Sequence, residues 1–212
     1  MIKKVFRISL WIVLGIVLVT IAPILFSLFA EQATAIQKNP DYKKLKEGDL
    51  IFQTSTSNQS SFISIGTQSN VTHCGIIVFR NGQPYVYEAS RTVKLTPLML
   101  FIKRGKERKY WIKRPKFEIK KVNCKYLHMP YDLQFKFNNE KMYCSELIYI
   151  EYKEQFGIEL CKPKKVSDYL IFGSKYITKL KNEIKKRGII LEQEAIAPVD
   201  VFNSEYLQNI SL

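Results

Sequence analysis

One stretch of this chain, THCGIIVFRNGQPYVYEAS over residues 72–90, constrains the fold more than any other. Two runs rich in β-branched and aromatic residues flank Asn81–Gly82, and Asn-Gly between such runs is the strongest short-range pattern for a β-hairpin. If these two residues form the loop, Arg80 faces Gln83 and paired positions sum to 163. The chain is therefore expected to contain an antiparallel sheet built around this hairpin.

The hairpin register brings together two side chains with chemical potential. His73 would face Ser90 and Glu88 would face Gly75, so Glu88 lies on the same sheet face as His73, one diagonal step away. A carboxylate bound to one ring nitrogen fixes the histidine tautomer and presents the other nitrogen to a reactive group. A slip of one residue would move Glu88 to the other face. A packed histidine and a surface glutamate are the alternative.

A cysteine, Cys144, stands at the head of a predicted helix in EKMYCSELIYIEY, residues 140–152. A thiol attacks as thiolate, and a nearby protonated histidine or a helix N-terminus lowers its pKa. The chain has two histidines, His73 and His128, so Cys144 with His73 is a candidate catalytic pair. A buried cysteine that only packs, a disulfide half and a metal ligand remain alternatives at this point.

The pattern along the rest of the chain indicates an α+β class. Short β-rich runs bounded by turn residues predict strands, and these are DLIFQ, HCGIIVF, PYVYEAS and KYWIKRP. Helices are predicted in TPLMLFIKRGK, EIKKVNCKYLHM and EKMYCSELIYIEYKEQF, and the last should end at Gly157. The segment VSDYLIFGSKYITKL fits neither pattern. We expect a small antiparallel sheet packed against the helix that carries Cys144.

The N-terminal segment predicts a membrane helix. The run from Ile8 to Phe29 has 22 residues without a charge and follows Lys3, Lys4 and Arg7. About 20 such residues cross a bilayer, and flanking cations stay in the cytoplasm. A cleaved signal peptide is the alternative, with an A-x-A site ending at Ala35. The predicted organisation is an anchor or signal over 1–30, a linker over 31–45 and a folded domain over 46–212, outside the cytoplasm in either case.

The charge balance favours anionic partners. The chain has 33 Lys+Arg against 19 Asp+Glu, a net charge of +14. Phospholipid headgroups and anionic wall polymers suit such a surface, although lysine-rich composition without function is the alternative. Two basic runs, Lys103–Lys109 and Lys185–Arg187, are candidate contacts with a membrane. Nucleic acid is not an expected partner for a domain exported behind a membrane segment, and the sequence does not constrain the oligomeric state.

The remaining cysteines and histidine could serve other roles. Cys124 and His128 are four apart on a predicted helix and, with His73 and Cys74, could form a zinc site. Their spacing is not one of the common zinc patterns, so no metal or other cofactor is expected. A disulfide among Cys74, Cys124 and Cys161 is possible outside the cytoplasm, but the sequence does not assign it.

Taken together, several motifs resemble the YiiX/YebB branch of the NlpC papain-like superfamily. They are GDLIFQTSTSNQSS, THCGIIVFRNGQPYVYEAS, VKLTPL, MPYDLQF, YCSELIYIEY and the tail APVDVFNSEYLQ, and the resemblance covers roughly residues 46–207. That branch is circularly permuted, with the histidine strand before the cysteine helix. The resemblance implies a papain-like core, with Cys144 as nucleophile, His73 as base and Glu88 as the orienting group. Cys74 departs from it, because a small or apolar residue is more usual there.

The resemblance implies hydrolysis of an amide or related acyl bond. The leading hypothesis is a membrane-anchored, extracytoplasmic cysteine hydrolase whose substrate is a cell-wall peptide or an acylated lipid. Backbone N–H groups near the helix start, that of Cys144 included, would stabilise the oxyanion. The alternative hypothesis is a catalytically silent papain-like module that binds lipid or wall ligands at the membrane surface.

Overall fold

The computed structural model describes residues 41–137, 139–170 and 177–211. The predicted membrane segment, Ile8–Phe29, lies outside these residues, as does most of the predicted linker. No helix within the described ranges has the length and apolar character needed to cross a bilayer.

A six-stranded antiparallel sheet forms the centre of the domain. The described residues form eight strands in all. They are β1 (Leu50–Ser55), β2 (His73–Arg80), β3 (Gln83–Ala89), β4 (Val93–Pro97), β5 (Gly105–Pro115), β6 (Lys164–Lys165), β7 (Glu194–Ala195) and β8 (Leu207–Asn209). The sheet has the order β4-β3-β2-β1-β5-β8, and β6 pairs with β7 in a separate two-stranded ladder. The four strand runs predicted from sequence all lie in the large sheet.

Five α-helices surround the sheet in the described ranges. They are α1 (Asn58–Thr67), α2 (Leu98–Lys103), α3 (Cys144–Phe156), α4 (Ile177–Arg187) and α5 (Pro198–Phe202), with short 3-10 turns at Tyr42–Lys44 and Val166–Tyr169. The helix predicted after Thr96–Pro97 is α2. The segment that fitted neither pattern contains the second 3-10 turn and the beginning of α4.

The hairpin register predicted from sequence is confirmed. β2 pairs with β3 from Arg80 opposite Gln83 to Ile76 opposite Tyr87, and each pair sums to 163. Asn81 and Gly82 have φ of 51° and 74°, the left-handed values that a type I′ turn needs at both positions. The register therefore fixes which side chains of β2 and β3 share a face.

The two sheet faces bury different apolar layers. Ile77 and Val86 pack against Phe101 of α2 on one face. On the other face, Cys74 and Ile76 belong to the large core that also includes the buried side of α3. Because successive residues of a strand point to opposite faces, His73 lies on the α2 face and Cys74 on the α3 face.

Helix α3 begins at the candidate nucleophile. Tyr143 is extended at the N-cap position, and its backbone N–H donates to Oε2 of Glu146 at 3.2 Å. The Glu146 side chain thus reaches back to the N-cap residue, as in a capping box, and Cys144 is the first helical residue. The helix ends as predicted at Gly157, which is left-handed with φ 70° and donates its N–H to the carbonyl oxygen of Lys153 at 3.0 Å.

The helix predicted over residues 118–129 is wrong. The segment is irregular, with a turn at 125–128. Cys124 and His128 have φ of 54° and 75°, which a right-handed helix does not allow. The backbone N–H of Cys124 donates to Oε1 of Glu151 at 3.1 Å rather than to a helical carbonyl. Cys124 and His128 therefore do not share a helical face, and this basis for a zinc site is lost.

Candidate active site

The site lies where two elements begin, β2 at His73 and α3 at Cys144. Nε2 of His73 is 2.6 Å from Oε2 of Glu88, and the same imidazole is hydrogen-bonded to Cys144. Since Nε2 is engaged by the carboxylate, Nδ1 is the nitrogen left for the sulfur. The structure therefore brings the three predicted residues into one continuous line, Cys144–His73–Glu88.

The Glu88 carboxylate is fully buried and held by three donors. His73 and Arg104 both contact Oε2, and the hydroxyl of Thr96 donates to Oε1 at 2.5 Å. Burial alone would raise the pKa of Glu88. The hydrogen bond and charge of His73, followed by Arg104 and Thr96, outweigh it and lower the pKa of Glu88 to about 2. Glu88 is therefore ionised at neutral pH.

Phe101 of α2 supports both cationic neighbours of this carboxylate. The His73 ring stacks on the Phe101 ring with 5.5 Å between centroids. The Arg104 guanidinium carbon lies 5.1 Å from the centroid of the same ring. A cation gains attraction over an aromatic face, so Phe101 orients His73 and Arg104 toward Glu88.

Charge separation between His73 and Cys144 is favoured at neutral pH. Burial acts to lower the pKa of His73, but Cys144 and then Glu88 offset it and raise the pKa of His73 to about 9. Hydrogen bonding from Cys74, together with the charge of His73, holds the pKa of Cys144 well below its ordinary value despite burial. Both shifts favour the thiolate–imidazolium form of the pair.

Cys74, expected near the site as the neighbour of His73, also contacts Cys144, a contact that the sequence did not predict. It does lie on the sheet face opposite His73, as expected. That face is the one α3 covers, so the Cys74 thiol and backbone N–H both hydrogen-bond to Cys144. Burial, together with Cys144, raises the pKa of Cys74 well above its ordinary value. Cys74 therefore remains a protonated donor beside the thiolate.

Tyr131 is a second donor that sequence reasoning missed. Its hydroxyl hydrogen-bonds to Cys144, and burial followed by the charge of Cys144 raises the pKa of Tyr131 well above its ordinary value. A parallel bridge between Tyr131 and Met142 holds its backbone beside the entry to α3. The tyrosine lies in the MPYDLQF motif, which was the available clue. The segment between Tyr131 and Cys144 has no local pattern that predicts the contact.

An apolar cavity opens beside Cys144. Its free space, with the part open to solvent, is about 580 Å³. Besides Cys144, its wall includes Ile63, Phe135, Leu180, Ile184, Ile189 and Ala197. Apart from Cys144, none of the described residues that line it is charged. The cavity therefore suits an apolar group next to the sulfur.

Both neighbours of Cys144 hold the same segment of the cavity wall. The Ile196 backbone N–H donates to the hydroxyl of Tyr143 at 3.1 Å, and the Ser145 hydroxyl donates to the Ile196 carbonyl oxygen at 2.7 Å. All three side chains line or border the cavity. The first turn of α3 is thereby fixed to the segment that follows β7, which is part of the cavity wall.

The other cysteines have a different environment. All four cysteines are free, so no disulfide links Cys74, Cys124 and Cys161. Burial raises the pKa of Cys124 to about 11 and the pKa of Cys161 to about 12. Within the described ranges, no group of three or more His, Cys, Asp or Glu side chains could hold a metal ion. The acidic thiol is that of Cys144.

Comparison with known proteins relates the whole described domain to one family. A model of the permuted papain-like amidase enzymes of the YaeF/YiiX type, family C92, matches residues 44–211. Protein YiiX of Escherichia coli (strain K12) is 32% identical over 172 residues, which cover 77% of this chain and 85% of that protein.

A solved structure gives the same relationship in three dimensions. The crystal structure described as metalloprotein YiiX from Escherichia coli O157:H7 superposes with a TM-score of 0.72 at 32% identity, covering 78% of this chain and 96% of that one. These matches confirm the resemblance found in the sequence motifs. They also confirm a permuted papain-like fold with an antiparallel sheet and helices.

Proposed function

Because this chain belongs to the permuted papain-like amidase family, we propose that it is a cysteine hydrolase with Cys144 as nucleophile, His73 as base and Glu88 as orienting carboxylate. The observation that carries these roles is the continuous line from Cys144 through His73 to Glu88. Its charge distribution fits nucleophilic catalysis, since the thiolate and the imidazolium stabilise each other.

The reaction follows from these protonation states. The Cys144 thiolate attacks the acyl carbon, and the carbonyl electron pair moves to oxygen. His73, as imidazolium, gives its proton to the leaving group as the bond to the acyl carbon breaks, which leaves an acyl-enzyme. Water then loses a proton to His73 and attacks the acyl carbon, and the Cys144 thiolate departs. Glu88 keeps the His73 ring oriented through both steps.

Two groups at the start of α3 are suited to hold the oxyanion. The backbone N–H of Cys144 is at the positive end of the helix, where the first amides lack helical partners. The Tyr131 hydroxyl approaches the same sulfur as a protonated donor. Donors aimed at the developing negative charge supply much of the rate enhancement in acyl transfer.

The apolar cavity favours an acylated lipid over a wall peptide. Wall peptides carry ammonium and carboxylate groups, and burying such charges without partners is unfavourable. Apart from Cys144, the described wall of the cavity offers no charged partner, whereas Ile63, Leu180 and Ile184 suit a hydrocarbon chain. We therefore assign the acyl chain to the cavity and its carbonyl carbon to Cys144. An anchor at Ile8–Phe29 would keep the domain beside such substrates, outside the cytoplasm.

Mass spectrometry tests this function. Purified full-length protein and the Cys144→Ser variant would each be incubated with membrane lipid extracts and with cell-wall digests. We expect loss of acylated lipids and appearance of the released acyl product with the unmodified protein alone. Cleavage of wall peptides instead would overturn the lipid substrate. No product from either mixture would overturn hydrolysis and favour a binding module.

A further inference from the structure

Helix α4 separates the cavity from the protein surface. Its inward residues Leu180 and Ile184 line the cavity, and so does Ile189 just beyond its end. Its outward residues Lys181 and Lys185 are exposed. The same helix therefore has an apolar side facing the candidate acyl site and a cationic side facing outward.

Large apolar side chains are exposed at the C-terminal end of α4. Ile190, Leu133 and Leu191 are 58%, 47% and 42% exposed. The segment that carries Leu133 is held against the end of α4, because Nε2 of Gln134 donates to the carbonyl oxygen of Arg187 at 3.1 Å. Clusters of exposed large apolar residues are unusual on soluble proteins and mark contact surfaces. We call Leu133, Lys185, Lys186, Ile190 and Leu191 the tip surface.

The tip surface keeps its positive charge. Nearby acids are engaged elsewhere: Glu183 pairs with Arg187 at 3.3 Å, and Glu192 pairs with Lys165 at 2.7 Å. Neither Lys185 nor Lys186 has a carboxylate within 4.0 Å among the described residues. Cations beside exposed apolar side chains match the two layers of an anionic bilayer surface, phosphates outside and hydrocarbon beneath.

A groove leads from the tip surface toward the cavity. It runs between α1 and α4, and its wall includes Leu133 and Lys186 of the tip surface. Phe62 of α1 and Leu180 of α4 line both the groove and the cavity. The groove and the candidate acyl site therefore share two apolar side chains as a common wall.

We propose that the tip surface docks on an anionic phospholipid bilayer, with the lysines against lipid phosphates and with Leu133, Ile190 and Leu191 among the outer acyl carbons. The groove past Phe62 and Leu180 is then the path of a lipid chain into the cavity. This path rests on the proposed function, whereas docking itself is independent of catalysis.

The structure separates this surface from the other basic run, Lys103–Lys109. In that run Lys109 pairs with Glu107 at 2.6 Å, and Arg104 is bonded to Glu88. Its residues do not line the groove or the cavity. Lys103 and Lys106 are exposed, so they provide a control with the same change of charge at a different surface.

Hydrogen–deuterium exchange on the full-length chain tests the docking. Protein carrying Cys144→Ser would be reconstituted in phosphatidylcholine vesicles with and without phosphatidylglycerol. We expect peptides covering residues 186–193 to exchange several-fold more slowly when phosphatidylglycerol is present. Lys185→Glu with Lys186→Glu should remove that protection, and Lys103→Glu with Lys106→Glu should retain it. High salt should weaken it, because ions screen surface charge.

Two results would overturn the docking. One is equal exchange of residues 186–193 in vesicles with and without phosphatidylglycerol. The other is a loss of protection in Lys103→Glu with Lys106→Glu as large as that in Lys185→Glu with Lys186→Glu. Ile190→Ser with Leu191→Ser, checked for an unchanged melting temperature, should also lose protection, and retention would contradict the apolar contact. Lipid hydrolysis in detergent by unmodified protein is scored separately. Hydrolysis without protection therefore refutes docking alone, and protection without hydrolysis refutes the proposed function alone.

Discussion

The thiol of Cys74 hydrogen-bonds to that of Cys144 across the contact between β2 and α3. The two groups have opposite acid–base properties, because the pKa of Cys74 is raised and the pKa of Cys144 is lowered. The protonated thiol therefore acts as a donor to the thiolate. His73, the residue before Cys74, supports the same sulfur from the other face of the sheet. Two adjacent positions of one strand thus stabilise one negative charge.

Alkylation identifies the acidic thiol. At pH 6, iodoacetamide should label Cys144 before Cys124 and Cys161, whose pKa values are raised to about 11 and about 12. His73→Ala should slow labelling of Cys144 about tenfold or more, since it removes the charge that stabilises the thiolate. Peptide mapping after a timed reaction measures this. Equal labelling of all four cysteines would refute the nucleophile assignment.

Removing the Cys74 donor should make Cys144 less acidic. Cys74→Ala should raise the pKa of Cys144, because a hydrogen bond to the charged form is lost. Cys74→Ser retains a donor in nearly the same position and should keep most of the effect. The pH dependence of the alkylation rate reports the midpoint for each variant. An unchanged midpoint in Cys74→Ala would show that His73 alone sets the acidity.

Glu88→Gln should shift the alkaline limb of the pH–rate profile. The pKa of His73 is raised to about 9, partly by Glu88, so His73 serves as proton donor below that pH and loses this role as the pH rises through it. A neutral glutamine keeps a hydrogen bond but removes the charge. The alkaline limb of kcat/KM should then move to lower pH, while Cys144 remains open to alkylation. An unmoved limb would contradict the role of Glu88.

Thr96→Val should destabilise the fold through Glu88. The variant leaves one buried carboxylate oxygen without its donor, and we expect a loss of about 1–3 kcal/mol in the free energy of unfolding. The pKa of Glu88 is lowered from 4.5 to about 2, so its stabilising contacts are complete above pH 4.5 and disappear as the pH falls through 2. Urea unfolding at pH 7 measures the effect. Thr96→Ser retains the hydroxyl and is the matched control.

Narrowing the cavity should discriminate between acyl chains. Ala197 lines the cavity, and Ala197→Leu adds three carbon atoms to its wall. Long-chain acyl substrates should lose kcat/KM, whereas a short acyl ester should be hydrolysed at nearly the original rate. Melting temperature checks that the fold survives. Equal loss for both chain lengths would indicate a disturbed nucleophile rather than a filled cavity.

Local chemistry explains which parts of the fold were predictable. Asn81–Gly82 alone determined a register, and that register put Glu88 beside His73. Gly157 marked the end of α3 for an equally local reason. The residues of 118–129 are compatible with the helix that was predicted there. However, the backbone N–H groups of Val122 and Cys124 donate to the carboxylates of Glu47 and Glu151, and Glu47 is 75 residues from Val122.

The missed members of the site depend on contacts between distant segments. Cys74 was assigned to the correct sheet face, but what covers that face is determined by the packing of α3. Arg104 and Tyr131 come from segments whose path near the site has no local sequence pattern. Thr96 lies opposite Val86, and it reaches Glu88 one diagonal step away only because β3 and β4 pair as they do. The sequence predicted that Cys144, His73 and Glu88 lie together and did not predict the donors that surround them.

Two hydrogen bonds to the backbone of Ile196 connect the wall of the cavity to the position of the Cys144 sulfur. Tyr143 and Ser145, on either side of Cys144, hold the backbone of Ile196 from both ends, and Ile196 is itself cavity wall. An acyl chain that displaced this part of the wall would therefore also displace the first turn of α3. If the cavity holds the acyl chain as we propose, acyl substrates of different length should therefore differ in kcat as well as in binding. The length of the acyl chain would then determine how well the Cys144 sulfur is aligned with the acyl carbon.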